Sequence, residues 1–181
     1  RYFIKQYEVE TNLVAHILQD CSESMDYASP RMPWTKREYA SFLTATLAYL
    51  IVNQADAVGA VLYHSDIAAF LEPRQSLAHV NRICTELEKV ATAPRTDTGA
   101  VLHTIAERIK RRGLVILISD LLDRAENILA GLDHLRFARQ EVVVFQVMDP
   151  FELDFPFDGV VRFDGLEGMG EALCQPRQLR Q

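Results

Sequence analysis

The chain has 181 residues, of which 49% are hydrophobic and 24% charged, and its formal net charge at pH 7 is −6. A chain of this length and composition can bury a full core, so we expect residues 1–181 to form a single domain. The acidic balance, without a basic stripe, argues against nucleic acid or an anionic membrane as the main partner, and no apolar run approaches the roughly 20 residues of a membrane span.

The first part of the chain alternates apolar runs with a helical pattern. Leu13–Leu18 is nearly all apolar and predicts a buried strand. Lys36–Asn53 has the spacing of a helix, Ala57–Tyr63 predicts a second strand, and Ile67–Leu71 predicts a short strand that pairs with it as a hairpin. The inward face of the helix is predicted to consist of Tyr39, Leu43, Leu47 and Leu50.

The second part of the chain continues the alternation. Helices are predicted over Ser76–Val90, Thr98–Arg112 (closed by Gly113 as a C-terminal cap) and Asp123–Arg139. Strands are predicted over Leu114–Ile118, Glu141–Val147 and, as a last strand, Val160–Phe163. The five aliphatic residues of Leu114–Ile118 are typical of a strand that is buried on both faces.

This alternation predicts an α/β fold: a doubly wound, mainly parallel sheet with helices on both faces. We expect Leu13–Leu18 to lie between Ala57–Tyr63 and Leu114–Ile118. Ile67–Leu71 should be the one antiparallel edge strand.

Three polar loops follow or adjoin the ends of these strands. They are Asp20-Cys21-Ser22-Glu23-Ser24, Arg95-Thr96-Asp97-Thr98-Gly99 and Ser119-Asp120. Ligands of doubly wound sheets bind beyond the carboxyl ends of the strands, where the winding direction reverses. If Leu13–Leu18 and Leu114–Ile118 are neighbours, the three loops meet at that edge.

The residues in these loops favour a site for a hard divalent cation. The predicted ligands are Asp20, Ser22, Ser24, Thr96 and Asp120. Oxygen ligands with few charges suit Mg²⁺ or Mn²⁺, and we expect weak binding because only two carboxylates are present. Such a set leaves room for an outside carboxylate from a partner.

Simpler interpretations of the same residues remain open. The Asp20, Ser22 and Ser24 side chains can cap the turn after the strand. Thr96 can be the N-cap of the following helix, with Asp97 as a rival cap and Thr98 as a rival metal hydroxyl. The segment Asp149-Pro150-Phe151-Glu152 can be a tight turn, or part of an acidic rim that Glu23, Asp97 and Asp123 complete.

The three loops resemble a known pattern. DCSES resembles the DxSxS motif of the metal-ion-dependent adhesion site in von Willebrand factor A-type domains. TDTGAVL is similar to the loop that supplies the threonine of that site, and VILISD to the strand that supplies its last aspartate. The resemblance implies a Rossmann-like fold and a protein-binding role that depends on a metal ion.

A closer resemblance covers nearly the whole chain. YEVETNLVAHILQDCSESM, ADAVGAVLY and VMDPFELDFPF resemble the bacterial domain-of-unknown-function family numbered fifty-eight. Members of that family carry a von Willebrand factor A-like domain, often behind N-terminal membrane helices, and are commonly encoded beside MoxR-type AAA+ ATPases. The resemblance implies a scaffolding or adaptor role beside such an ATPase, in the assembly or activation of other proteins.

We expect no catalytic residues, because the chain has no GxSxG, GxxxxGK[ST], GxGxxG or HExxH motif. The alternative function is a magnesium-dependent phosphohydrolase that uses the same site, with Arg95 to bind phosphate. Cys21, Cys84 and Cys174 form no CxxC pair and predict a reducing, cytoplasmic location. The first residue is not methionine, so we expect the chain to be a fragment of a longer, membrane-anchored parent.

Overall fold

The computed structural model describes residues 13–93, 96–156, 161–164 and 171–174. The strands are β1 (Val14–Asp20), β2 (Ala57–Tyr63), β3 (Ile67–Arg74), β4 (Leu114–Ser119), β5 (Glu141–Gln146), β6 (Val161–Asp164) and β7 (Glu171–Cys174). The helices are α1 (Lys36–Asn53), α2 (Leu77–Lys89), α3 (Thr98–Arg108), α4 (Ala125–Phe137) and α5 (Pro150–Asp154), with a short 3₁₀ helix at Glu23–Asp26.

The central sheet has the strand order β3-β2-β1-β4-β5. β1 pairs in parallel with β2 on one side and with β4 on the other, β4 pairs in parallel with β5, and β3 is antiparallel to β2. The predicted fold class and strand neighbours are therefore confirmed. The predicted last strand is β6, which pairs with β7 in a separate two-stranded sheet rather than in the central one, and residue 160 lies outside the described residues.

Two cores sandwich the sheet because side chains of a strand alternate between its faces. Ile17 of β1 belongs to the core beneath α1 and α2, together with Met25 and Ile83. Leu18, the next residue, belongs to the core beneath α3 and α4. Each aliphatic side chain that is fully buried contributes about 1.5–3 kcal/mol, so the aliphatic runs are what hold the strand ends in place.

The inward face of α1 differs from the predicted one. Its buried residues are Lys36, Ala40, Thr44, Ala48 and Ile51. Leu43 and Leu47 pack at the margin of the core, whereas Tyr39 and Leu50 are 48% and 47% exposed. Small side chains let α1 approach the sheet closely, and the Thr44 hydroxyl donates a 2.6 Å hydrogen bond to Gln19 of β1.

Two predicted helices end earlier than expected. α3 stops at Arg108 and α4 covers only Ala125–Phe137. Gly113 is not a helix cap: it lies just before β4, where an added Cβ would collide with the carbonyl oxygen of Val14. Its role is to let the start of β4 pass close to β1.

Glycines also set the contact between α3 and α4. A Cβ on Gly131 of α4 would lie 2.7 Å from the Cβ of Leu102, and a Cβ on Gly99 of α3 would lie 2.7 Å from that of Asn127. Neither neighbouring atom can move without its backbone. This contact therefore fixes the start of α3, which carries Thr98.

We expect Gly131→Ala to lower the free energy of unfolding by about 1–2 kcal/mol, because the overpacking outweighs the gain in helix propensity. Urea denaturation measures the change. The control is Glu107→Ala on the exposed side of α3, which should stay within about 0.5 kcal/mol of the wild type. A stabilised Gly131→Ala variant would contradict the close contact of the two helices.

Candidate functional site

Asp20 ends β1 and is only 1% exposed. Its Oδ1 accepts the Ser22 N–H at 2.8 Å, and its Oδ2 accepts the Ser119 hydroxyl at 2.7 Å. Burial raises the pKa of Asp20, while the hydrogen bonds from Ser119 and Ser22 act against this shift. Asp20 thus caps the turn after β1, as the simpler interpretation proposes, and also joins the end of β1 to that of β4.

Ser22 and Ser24 bring two hydroxyls together beside Asp20. Both residues are buried, and their Oγ atoms are 3.0 Å apart. The Glu23 N–H donates to the Ala93 carbonyl at 2.9 Å, which ties this loop to the segment before α3. Cys21, between Asp20 and Ser22, packs in the hydrophobic core.

Asp120 follows β4, and its side chain is fully buried. Its charge contributes to the raised pKa of Asp20, because the two carboxylates repel each other across the sheet edge. The Oδ1 atom of Asp120 accepts the Leu122 N–H at 3.2 Å, and Oδ2 accepts a hydrogen bond from the Lys36 ammonium at 2.8 Å. The loops after β1 and β4 therefore converge.

Lys36 is the residue at this edge that the sequence prediction missed. Its side chain is 3% exposed, and Nζ contacts Glu152 at 2.7 Å as well as Asp120. The ammonium also lies 5.9 Å from the centre of the Tyr27 ring. Lysine is so rarely buried that only its place in the small-residue stripe of α1 could have indicated an inward side chain.

The loop before α3 contributes Thr96, and the first residue of α3 is Thr98. Thr96 is half-buried, Thr98 is fully buried, and their hydroxyls are 3.5 Å apart. Asp97 is the N-cap of α3, because its side chain accepts the Ala100 N–H at 2.9 Å, so the interpretation of Thr96 as the cap is wrong. Arg95 lies outside the described residues.

A fully buried tyrosine adjoins Thr98. The Tyr63 hydroxyl lies close to Thr98 and Ser119 but makes no well-formed hydrogen bond with any described residue. Burial and the nearby Asp20 raise its pKa well above the ordinary value. The unpartnered Tyr63 hydroxyl makes the interior behind the candidate ligands polar.

The acidic rim is smaller than expected. Asp149 is buried and caps α5, where it accepts the N–H groups of Phe151 at 2.8 Å and Ser29 at 2.9 Å. Burial would raise the pKa of Asp149, but these hydrogen bonds outweigh it and hold the pKa below its usual value. Glu152 accepts the Asp149 N–H at 2.8 Å. The segment forms the start of the short helix α5 rather than the predicted tight turn, and because Asp149 is buried and Glu152 pairs with Lys36, Glu23, Asp97 and Asp123 are left for the rim.

His16, His103 and His134 lie outside the three loops, whereas His64 directly follows β2 and its carbonyl accepts the Asp97 N–H at 3.4 Å. His16 is buried, its Nδ1 has no hydrogen-bond partner among the described residues, and burial lowers its pKa to about 4. His103 and His134, which are far apart in the sequence, meet across α3 and α4 with their Nδ1 atoms 2.9 Å apart.

The donor set determines which ion could fit. Within residues 13–93 and 96–156, no group of three or more His, Cys, Asp or Glu side chains could hold a metal. Asp20, Ser22 and Ser24 nevertheless gather hard oxygen donors at one point, which suits weak binding of Mg²⁺ or Mn²⁺. Asp120 could bind the ion only while its carboxylate also accepts the hydrogen bond from the Lys36 ammonium. The ligand roles of Asp20, Ser22, Ser24, Thr96 and Asp120 stay predictions.

The sheet order and the convergent loops define an α/β domain whose candidate site lies at the carboxyl edge of a mainly parallel sheet. The model of the family described as "Protein of unknown function DUF58" matches residues 1–180, and the chain belongs to this family. Uncharacterized proteins of Mycobacterium tuberculosis and Mycobacterium bovis are each 26% identical over 164 residues, which cover 89% of this chain and 49% of the relative. The chain thus spans about half the length of the curated relatives it matches.

Solved structures support the fold. An aerotolerance-related membrane protein from Bacteroides fragilis superposes with a TM-score of 0.64 at 16% identity and covers 92% of this chain and 83% of its own. BatB, a conserved hypothetical protein from Bacteroides thetaiotaomicron, gives a TM-score of 0.62 at 16% identity, with coverages of 92% and 82%. Within the described part of this chain, no helix is both long and apolar enough to cross a membrane.

We expect Asp120→Ala to cost about 3–5 kcal/mol of stability, because it leaves the buried Lys36 ammonium short of a partner. The matched control is Glu141→Ala, which breaks an ion pair with Arg112 whose side chains are 69% and 73% exposed. That variant should lose at most about 1 kcal/mol. Equal losses in urea denaturation would contradict the buried character of the Lys36–Asp120 pair.

We also expect a pH-dependent effect of Asp20→Asn in the presence of a chelator. Because burial raises the folded-state pKa of Asp20, its ionised form opposes folding above that pKa, and the penalty disappears below the ordinary aspartate value of about 3.9. Asp20→Asn should therefore be more stable than the wild type at neutral pH and should lose this advantage near that lower value.

Urea denaturation across this range tests the Asp20 expectation. Asn keeps an acceptor for the Ser22 N–H, and the Ser119 hydroxyl can rotate to accept from its amide. His16 titrates in both proteins and cancels from the comparison. A variant that is less stable than the wild type at neutral pH would contradict the cost of burying this charge.

Proposed function

We propose that this domain is a protein-interaction module that binds its partner through a divalent cation at the carboxyl edge of the sheet. Asp20, Ser22 and Ser24 would hold the ion, with Asp120 and a threonine hydroxyl, predicted as that of Thr96, nearby. When bound, Mg²⁺ or Mn²⁺ would supply an electrophilic position for a carboxylate of the partner. The domain itself would carry out no reaction.

One observation carries the proposal: the Ser22 and Ser24 hydroxyls lie 3.0 Å apart beside a carboxylate that the strand pairing holds in place. Two hydroxyls and a carboxylate of one loop, all buried, form a hard-oxygen set at the edge where open α/β sheets bind ligands. The remaining rim of Glu23, Asp97 and Asp123 would repel an acidic partner in the absence of the ion. Binding would then depend on the cation.

The resemblance to the family supports a MoxR-type AAA+ ATPase as the partner. The module would act as a scaffold or adaptor beside the ATPase in the assembly or activation of other proteins. The solved relative from Bacteroides fragilis is described as a membrane protein. We propose that the parent of this chain is likewise anchored in a membrane, with this domain on the cytoplasmic side.

Among the described residues, which do not include the predicted phosphate-binding Arg95, the charge arrangement favours binding over phosphate hydrolysis. A phosphohydrolase needs a cation that faces the substrate, whereas the Lys36 ammonium is buried and already contacts Asp120 and Glu152. The alternative predicts magnesium-dependent phosphatase activity that Asp20→Ala abolishes. A phosphatase assay with that variant as control separates the two functions.

We expect the chain to retain the candidate ATPase in a pull-down with Mg²⁺ and to lose at least about tenfold in affinity with chelator, as a missing metal–carboxylate contact would cause. Asp20→Ala and the double variant Ser22→Ala/Ser24→Ala should behave like chelator. The double variant removes both members of one hydrogen-bonded pair, so it leaves neither hydroxyl without its partner.

The controls separate the ion from general charge effects. Glu23→Gln should alter mainly the salt dependence of binding, because its half-buried side chain adds charge to the rim but is not a predicted ligand. Equal retention with Mg²⁺, with chelator and with Asp20→Ala would overturn the cation-dependent mechanism.

A further inference from the structure

We infer that Lys36 sets the affinity of this site for divalent cations, because its ammonium competes with the ion for the Asp120 carboxylate. The inference rests on the proposed cation site and adds a residue that regulates it. Lys36 lies outside the motif loops, at the first position of α1 after the Thr35 N-cap.

The contacts of Lys36 are those of an internal counter-ion. Its Nζ atom lies 2.8 Å from Asp120 Oδ2 and 2.7 Å from Glu152 Oε1, and the lysine and aspartate side chains are 3% and 0% exposed. Water therefore screens this pair little. The Glu152 carboxylate is itself held in place, because its other oxygen accepts the Asp149 N–H at 2.8 Å.

The balance of charge at the edge follows from these contacts. Without an ion, one ammonium serves two carboxylates, so Asp120 is already partly neutralised. An ion bound to Asp120 would lie close to the ammonium and would share with it the same carboxylate. Like charges in a poorly screened interior repel strongly, so Lys36 must weaken the binding of the ion.

Glu152 should have the opposite effect to Lys36. It draws the ammonium toward α5 and so leaves more of the Asp120 charge for an ion. Replacing Glu152 by Gln would keep the shape but give Asp120 an undivided ammonium. If Lys36 and Glu152 had purely structural roles, their substitution would not change the cation affinity in opposite directions.

Isothermal titration calorimetry with Mn²⁺ on the 181-residue chain tests the inference. We expect Lys36→Met, which keeps the apolar stem but removes the charge, to bind Mn²⁺ on the order of tenfold more tightly than the wild type. Lys36→Arg should stay close to the wild type, and Glu152→Gln should bind more weakly. The matched control is Lys89→Met, since the Lys89 side chain is 63% exposed and pairs with Glu86 rather than with a predicted ligand.

Stability gives a second readout. Lys36→Met should have a lower midpoint of thermal unfolding than the wild type in chelator and should gain more from added Mn²⁺, because the ion then neutralises Asp120. If Lys36→Met is too unstable to titrate, Lys36→Gln serves in its place, since it offers Asp120 a donor without a charge.

The outcomes separate this inference from the proposed function. If Asp20→Ala abolishes Mn²⁺ binding, but the wild type and Lys36→Met bind Mn²⁺ equally tightly, the role of Lys36 is overturned and the cation site is retained. Binding that persists unchanged in Asp20→Ala, or no binding in either the wild type or Lys36→Met, overturns the cation site itself. Tighter binding in both Lys36→Met and Lys89→Met would show a general charge effect and would also overturn the inference.

Discussion

The parallel pairing of β1 with β4 is the constraint on which the rest of this edge depends. The register from Ala15 opposite Leu114 to Gln19 opposite Ile118 brings the ends of the two strands level. Asp20 and Asp120 then become neighbours. The hydroxyl of Ser119, the residue before Asp120, donates a hydrogen bond to Asp20 and so ties the two strand ends together. A shift of one residue would turn every side chain to the opposite face and separate the two carboxylates.

The burial of two carboxylates at one edge of the sheet opposes folding, and this desolvation cost is offset differently at each of them. Asp20 is stabilised by neutral donors, the Ser22 N–H and the Ser119 hydroxyl. Asp120 is stabilised by a full charge, the Lys36 ammonium. Asp20 therefore keeps a negative charge that an added cation would neutralise. The charge of Asp120 is already nearly balanced by the Lys36 ammonium. This asymmetry makes Asp20 the dominant group of the proposed site.

Much of the fold could be predicted because long aliphatic runs have one stable placement. Leu114–Ile118 is apolar at every position, so only a central strand could bury it, and the polar residues after it had to emerge at the sheet edge. The inward face of α1 could not be predicted this way. Ala40 and Thr44 lie inward because close approach to the sheet and a hydrogen bond to Gln19 outweigh the burial of larger side chains. Lys36 was missed for the same reason: its burial depends on Asp120 and Glu152, which are distant in sequence.

Anomalous diffraction from crystals of the chain grown with Mn²⁺ would test the central claim most directly, since it places the ion without reference to any partner. The account predicts one strong peak within bonding distance of oxygens of Asp20, Ser22 and Ser24, on the side of Asp120 away from Lys36. A peak on the rim carboxylates of Glu23, Asp97 or Asp123 instead, or none at this edge at saturating Mn²⁺, would contradict it.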